Sequence, residues 1–271
     1  MPRRRTLAAW GAGATLAALL ACGQVPTLPL GIAYITPVLT PSPTVAWGDT
    51  LRDSLGQAAP LRVYAIGKSA GDTIRTIALR FLLTSLHSGA TIDASGFLIA
   101  PDSLETLRVV AQVTDGSGGD ALQLQTPELA LEVVPRADSI AATIRTDTLF
   151  RTPIVLPLAV AVSGTGPTGL RAPVAGIRVQ YHIVRSYPAL PAIGRRFYMV
   201  DDQTGVLRPD STFAIDTTAA GVGSRRIVGI AAPAGEAPTD SVVVEVRAWS
   251  QRHVEVTGSP VLFTLRFRSS T

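Results

Sequence analysis

Apolar and polar residues alternate along most of this chain in short runs, and glycine or proline closes each run before a helix could form. Ile177-Arg178-Val179-Gln180-Tyr181-His182-Ile183-Val184 is the clearest case. Every second residue is apolar, so an extended backbone turns one face to a core and the other to water. In the first half, residues 61–66, 76–83, 106–113 and 129–134 read as strands for the same reason. In the second half, 154–162, 197–200, 221–228, 241–249 and 261–267 do so. Long stretches with apolar residues at helical spacing are missing, and β-branched residues dominate the runs. The 24 glycines and 20 prolines lie mostly between runs, where they stop helices and form turns. The pattern predicts an all-β chain.

Organisation follows from where the rhythm breaks. Pro135-Arg136-Ala137-Asp138 reads as an exposed, protease-accessible hinge, after which the strands restart. Ser163-Gly164-Thr165-Gly166 reads as a glycine-rich turn. About seven strands in roughly 100 residues on each side match the size of an immunoglobulin-type sandwich. The expected architecture is therefore two tandem immunoglobulin-like β-sandwiches, residues 44–135 and 136–271. Residues 22–43 carry Pro26, Pro29, Pro37, Pro41 and Pro43 and read as an extended tether, with Ile32-Ala33-Tyr34-Ile35 a strand candidate inside it.

Residues 1–21 read as an export signal: a cationic Arg3-Arg4-Arg5, an apolar alanine- and leucine-rich stretch from Leu7, and small residues at the exit. The apolar stretch is short for a membrane span, which needs about 20 apolar residues. Leu19-Leu20-Ala21-Cys22-Gly23 resembles the lipobox of bacterial lipoproteins. That resemblance implies diacylation of Cys22, a lipid bilayer as partner, and a cell-envelope location. Gly23 carries no acidic retention signal of the enterobacterial type, so the outer membrane is the expected placement rather than the inner. Cys22 is the only cysteine, which excludes an intrachain disulfide framework and a thiolate chemistry in the mature fold. Removal of the signal also takes three of the four net positive charges. No basic tract interleaved with aromatics remains, so nucleic acid is not an expected partner.

Gly48-Asp49-Thr50-Leu51, then Gly89-Ala90-Thr91-Ile92-Asp93 with Gly96-Phe97-Leu98-Ile99-Ala100, resembles bacterial Ig-like domains of group 2. Those modules open on G-D-T and carry a hairpin of the second kind. Ala172-Pro173-Val174-Ala175-Gly176-Ile177-Arg178-Val179 is similar to the P-V-x-G-v-x-V of invasin-type repeats, and Asp216-Thr217-Thr218-Ala219-Ala220-Gly221-Val222-Gly223-Ser224 to their T-D hairpin. The resemblance covers most of residues 44–271. It implies the sandwich fold, and the cysteine and core tryptophan of antibody-type domains are absent from it as a set.

Candidates for chemistry are few. His87, His182 and His253 are scattered without ligand spacing. Asp201-Asp202-Gln203-Thr204-Gly205 lacks the alternating carboxylates of a calcium loop and reads as a turn. Gly116-Ser117-Gly118-Gly119 is not a nucleophile elbow, and Gly164-Thr165-Gly166 lacks the strand-to-helix setting of a phosphate loop. Asp115 and Asp210 fall in turn-like segments. Trp47, Trp249 and Tyr64 are dispersed and read as core or edge packing rather than a binding platform. No catalytic, cofactor or metal site is expected. Two readings remain open: an envelope lipoprotein whose Ig-like modules act as spacer, scaffold or adhesion surface toward an envelope protein or glycan, and a carbohydrate- or peptide-binding module that uses sandwich-end loops.

Overall fold

The computed structural model describes residues 32–67, 73–74, 79–84, 89–113, 125–151, 154–187, 197–200, 211–230 and 241–268. Cys22, the export signal, His87 and the acidic turns at Asp115, Asp201-Asp202 and Asp210 lie outside them.

Strands build the described residues throughout. The first sandwich holds β1 (Ile32–Ile35), β2 (Thr44–Ala46), β3 (Ala65–Gly67), β4 (Thr73–Ile74), β5 (Leu79–Leu83), β6 (Thr91–Ile92), β7 (Leu98–Ile99), β8 (Thr106–Val113) and β9 (Leu129–Val134). Its main sheet runs β2-β9-β8-β5, opposed by a small β1-β3-β4 sheet and the separate β6-β7 hairpin. β8 and β9 occupy the bounds read from the alternation, because every inward position there is apolar: Leu107, Val109, Ala111, Val113 and Leu131, Val133 are all buried. The 61–66 run is extended only at its end. Leu61 and Val63 are buried, but Arg62 makes a single bridge to Leu39 and the ladder begins at Ala65.

The tether is shorter than expected. Ile32–Ile35 pairs with β3, and Val38 is buried in the first core, so the chain belongs to the sandwich from β1 onward. The prolines at 37, 41 and 43 are compatible with this because the segment crosses from one sheet to the other.

The second sandwich holds β10 (Arg136–Ala142), β11 (Asp147–Arg151), β12 (Ile154–Thr165), β13 (Arg171–Pro173), β14 (Arg178–Tyr187), β15 (Phe197–Val200), β16 (Phe213–Thr217), β17 (Val222–Gly229), β18 (Ser241–Ala248) and β19 (Val261–Arg268). One sheet runs β10-β12-β17-β15, with β13 beside β12; the other runs β11-β19-β18-β14-β16. Leu158, Val160 and Val162 from the first sheet meet Val179, Tyr181, Val244, Val246 and Phe263 from the second in one core.

Both sandwiches open in the same way. The leading segment contributes one strand antiparallel to the first sheet and a second strand parallel to the last strand of the other sheet (β1 then β2, β10 then β11). This split first strand belongs to the immunoglobulin frame, with sheets A-B-E-D and A′-G-F-C-C′. The second sandwich departs from the frame in chain order. β15, which follows β14, takes the place beside β17, and β16 then returns to pair with β14.

Three local expectations change. Ser163-Gly164-Thr165 is not a turn but the end of the twelve-residue β12. Gly164 pairs with Ala137 across the ladder, and a Cβ there would lie 2.1 Å from the Arg136 carbonyl oxygen. Its glycine thus permits strand contact rather than a turn. The 216–224 segment is not a hairpin within one sheet, since β16 pairs with β14 and β17 with β12 and β15, so it arches between layers. The hinge is not free either: Arg136, Ala137 and Asp138 begin β10, and Pro135 alone separates β9 from it.

Candidate functional site at the junction of the two sandwiches

With one residue between strands, the two sandwiches are pressed end to end, and the turns at that end decide what the junction is made of. Gly48-Asp49-Thr50, the turn that follows β2 in the first sandwich, places a carboxylate into it. Asp49 is 6% exposed. Its Oδ1 accepts from the Thr50 amide at 2.8 Å and from Arg52 Nη2 at 3.0 Å. Its Oδ2 accepts from Arg252 Nε of the second sandwich at 2.8 Å. Burial alone would raise the carboxyl's pKa, but hydrogen bonds from Arg252, Arg52 and the Thr50 amide outweigh it and hold Asp49 at about 2, against an ordinary 3.8. Charge-assisted bonds of this kind are about twice as strong as neutral ones.

Trp47 closes the other side. Its Nε1 donates to the Thr165 carbonyl at 2.8 Å, at the very end of β12. The Arg136 guanidinium lies over its ring, 4.1 Å from the centroid, in the geometry of a cation–π contact. Gln251 completes the seal by accepting from the Ala137 amide at 3.0 Å and donating to the Pro135 carbonyl at 2.9 Å. These two bonds satisfy the backbone on both sides of the residue that joins the sandwiches.

The turn 250–254 sits against Gly56. Arg52 Nη1 donates to the Gly56 carbonyl at 2.8 Å, and Gly56 has φ +75°. A Cβ there would approach the Arg252 carbonyl carbon to 2.7 Å, so the contact requires glycine. His253 itself adopts φ +59°, an uncommon conformation for a side chain of its size, and stacks on Trp249 with centroids 5.8 Å apart.

A cavity of about 220 Å³ opens beside this seal. Residues 41–46 with Thr50, Arg52, Asp53 and Ser54 of the first sandwich form one wall. Arg178, Gln180, Ile215, Thr217, Trp249–Gln251 and His253 of the second form the other.

Of the residues singled out from sequence, Trp47, Trp249 and His253 gather at this end of the molecule. His182 lies on the outer face of β14, edge-on to Phe213 and away from the junction. Among the described residues no group of three or more His, Cys, Asp or Glu side chains is close enough to hold a metal ion. Asp49, Arg52, Arg136, Arg178 and Arg252 carry charge at the junction and were not singled out as candidates. Asp49 stood in the G-D-T motif as turn chemistry, and its partner Arg252 is 203 positions away.

A second buried charge pair was also missed. Alternation along β17 turns Arg225 inward, where it is 5% exposed. Arg225 Nε donates to the Ile215 carbonyl at 2.7 Å, and its Nη2 stands 3.0 Å from Asp216 Oδ1 off the hydrogen-bonding angle. Asp216 also accepts from the Ser224 amide at 2.7 Å, which ties the arch between layers. Burial, and then the Asp216 charge, push the nearby Tyr181 phenol above the usual tyrosine range.

No protein-family model and no curated protein matches this chain. Among solved structures, the fibronectin(III)-like modules of Clostridium thermocellum CbhA align over 87% of this chain and 95% of theirs, at 11% identity and a TM-score of 0.31. Domains 1–6 of the surface layer protein SbsC align over 89% of this chain, which spans 28% of that one, at 10% identity and 0.31. The D00-D0 domain of intimin aligns over 86% and 99%, at 14% identity and 0.26. At such scores the matches fix neither arrangement nor activity, and the sandwich assignment rests on the strand pairing and cores.

Proposed function

We propose that this chain is a non-enzymatic envelope lipoprotein, held to a bilayer by an acylated Cys22, in which the two sandwiches act as a stiff spacer that presents its far end to an envelope protein or glycan. The observation that carries this reading is the shared carboxylate. Asp49 of one sandwich holds Arg252 of the other while Gln251 grips the backbone on both sides of Pro135. Two sandwiches joined only by a linker would tumble separately. Here side chains from both ends satisfy one another, which suits a module that must keep distance and direction.

Limited proteolysis of the full chain tests the stiffness. The wild type should resist cleavage between residues 130 and 145, and Asp49→Ala should open that segment first. Rapid cutting of the wild type there would remove the spacer reading. Anchoring has its own test. Wild type should incorporate labelled palmitate and fractionate with membranes, preferentially the outer one, whereas Cys22→Ala should not be labelled. A mature N-terminus elsewhere than residue 22 would overturn it.

A further inference from the structure

We propose that the cavity at the junction binds a uronate, an acidic sugar unit whose carboxylate pairs with Arg178. The starting point is an unbalanced charge. Arg178 begins β14 and lines the cavity, and among the described residues no hydrogen bond and no carboxylate engages its guanidinium. Of the other arginines at this end, Arg52 and Arg252 share Asp49, Arg225 faces Asp216, and Arg136 lies over the Trp47 ring. A guanidinium fork is shaped for a carboxylate, which accepts two parallel N–H bonds.

The rest of the lining selects the kind of carboxylate. Thr50, Ser54, Gln180 and Thr217 all line the cavity, and none makes a side-chain hydrogen bond among the described residues. Four neutral donor-acceptor groups around one cation match the hydroxyls of a sugar ring. An acidic peptide side chain would use Arg178 and leave the others unmatched. Asp53 is the acid of the lining among the described residues. Its Oδ1 is engaged by the Leu55 and Gln57 amides, both at 2.9 Å. Asp53 makes no ion pair with Arg178 among the described residues, and Arg52 on the same wall is held by Asp49. The size fits one ring: about 220 Å³, below the roughly 300–1,000 Å³ of sites for larger organic ligands. The exposed His253, stacked on Trp249, adds an aromatic rim.

Titration calorimetry on the full chain in detergent, with glucuronate, glucose and propionate as probes, tests this independently of anchoring and stiffness. Glucuronate should bind saturably, and glucose and propionate each at least about tenfold more weakly, since each offers half of the recognition. Arg178→Gln should weaken glucuronate at least about tenfold, as expected for loss of a charged hydrogen-bonded partner, and Arg178→Lys should fall between. Should Arg178→Gln disturb folding, Gln180→Ala with Thr217→Val serves instead, and should erase the preference for glucuronate over propionate. The proposal is overturned if glucuronate gives no saturable heat, if glucose or an acidic tetrapeptide binds as tightly, or if Arg178→Gln leaves the affinity unchanged in a folded protein.

Discussion

The two sandwiches start alike and are finished differently. Each opens with a first strand split between its sheets, but the second builds two five-stranded sheets around a core that runs from Val134 to Leu265, with strands of up to twelve residues. Among the described residues, the first opposes its four-stranded sheet with strands of two to four residues. Much of its core comes from residues outside strands, among them Val38, Leu51 and Leu61. Residues in loops can be buried only if something holds the loops, because irregular backbone leaves donors and acceptors to be satisfied. The junction supplies part of that hold. Leu51 lies two residues from Asp49, and its amide donates to the Leu98 carbonyl at 2.9 Å, in the same stretch that Arg252 reaches from the other sandwich. The difference indicates that the thinner sandwich depends on its neighbour more than the reverse.

Core truncation should give the largest effect and the sharpest test of this dependence. Phe263 is fully buried in the second core and Leu107 in the first. Phe263→Ala should cost about 3–5 kcal/mol and Leu107→Ala about 2–5 kcal/mol, from lost transfer energy and the cavity left behind. Calorimetry of Phe263→Ala should show both sandwiches losing stability together, whereas Leu107→Ala should leave a resistant second sandwich. If each truncation moves only its own transition, the dependence is absent.

Asp49→Ala comes next. Breaking a buried ion pair costs about 3–5 kcal/mol when the partner charge stays buried. Arg252 is 57% exposed and returns to water, so on the order of 2 kcal/mol is expected. The pH dependence has a fixed sign. Because the folded carboxyl is depressed to about 2 from 3.8, its stabilisation is fully present above pH 4–5 and fades as pH falls toward 2. The acid-induced loss should appear first in the first sandwich, by fluorescence or amide exchange, and Asp49→Asn should flatten this part of the profile. An unchanged profile in Asp49→Asn would assign the acid sensitivity elsewhere.

Trp47→Phe should have the smallest effect. It keeps a ring for Arg136 and removes the hydrogen bond to Thr165, a loss of about 1 kcal/mol. A drop beyond about 3 kcal/mol in denaturant midpoint analysis would mean that Trp47 packs as a core residue of both sandwiches rather than as a clasp.

Strands such as Thr106–Val113 and Val261–Arg268 were legible because burial of one face demands alternation, and alternation is local. Short or polar strands were not. Arg136–Ala142 and Phe213–Thr217 carry little apolar periodicity, and they are extended because a neighbouring strand offers a ladder. Gly164 shows the same limit: its composition fits a turn, and only the closeness of Arg136 makes it a strand residue. The sequence by itself determined the all-β class, the strands whose inner faces are apolar and, through Leu19-Leu20-Ala21-Cys22, the expectation of a lipid anchor. Tertiary structure alone decided that Asp49 meets Arg252, that Arg225 turns inward and that Arg178 has no carboxylate partner among the described residues. Those are matters of pairing between residues far apart in the chain, and no local pattern encodes which distant charge a turn will meet.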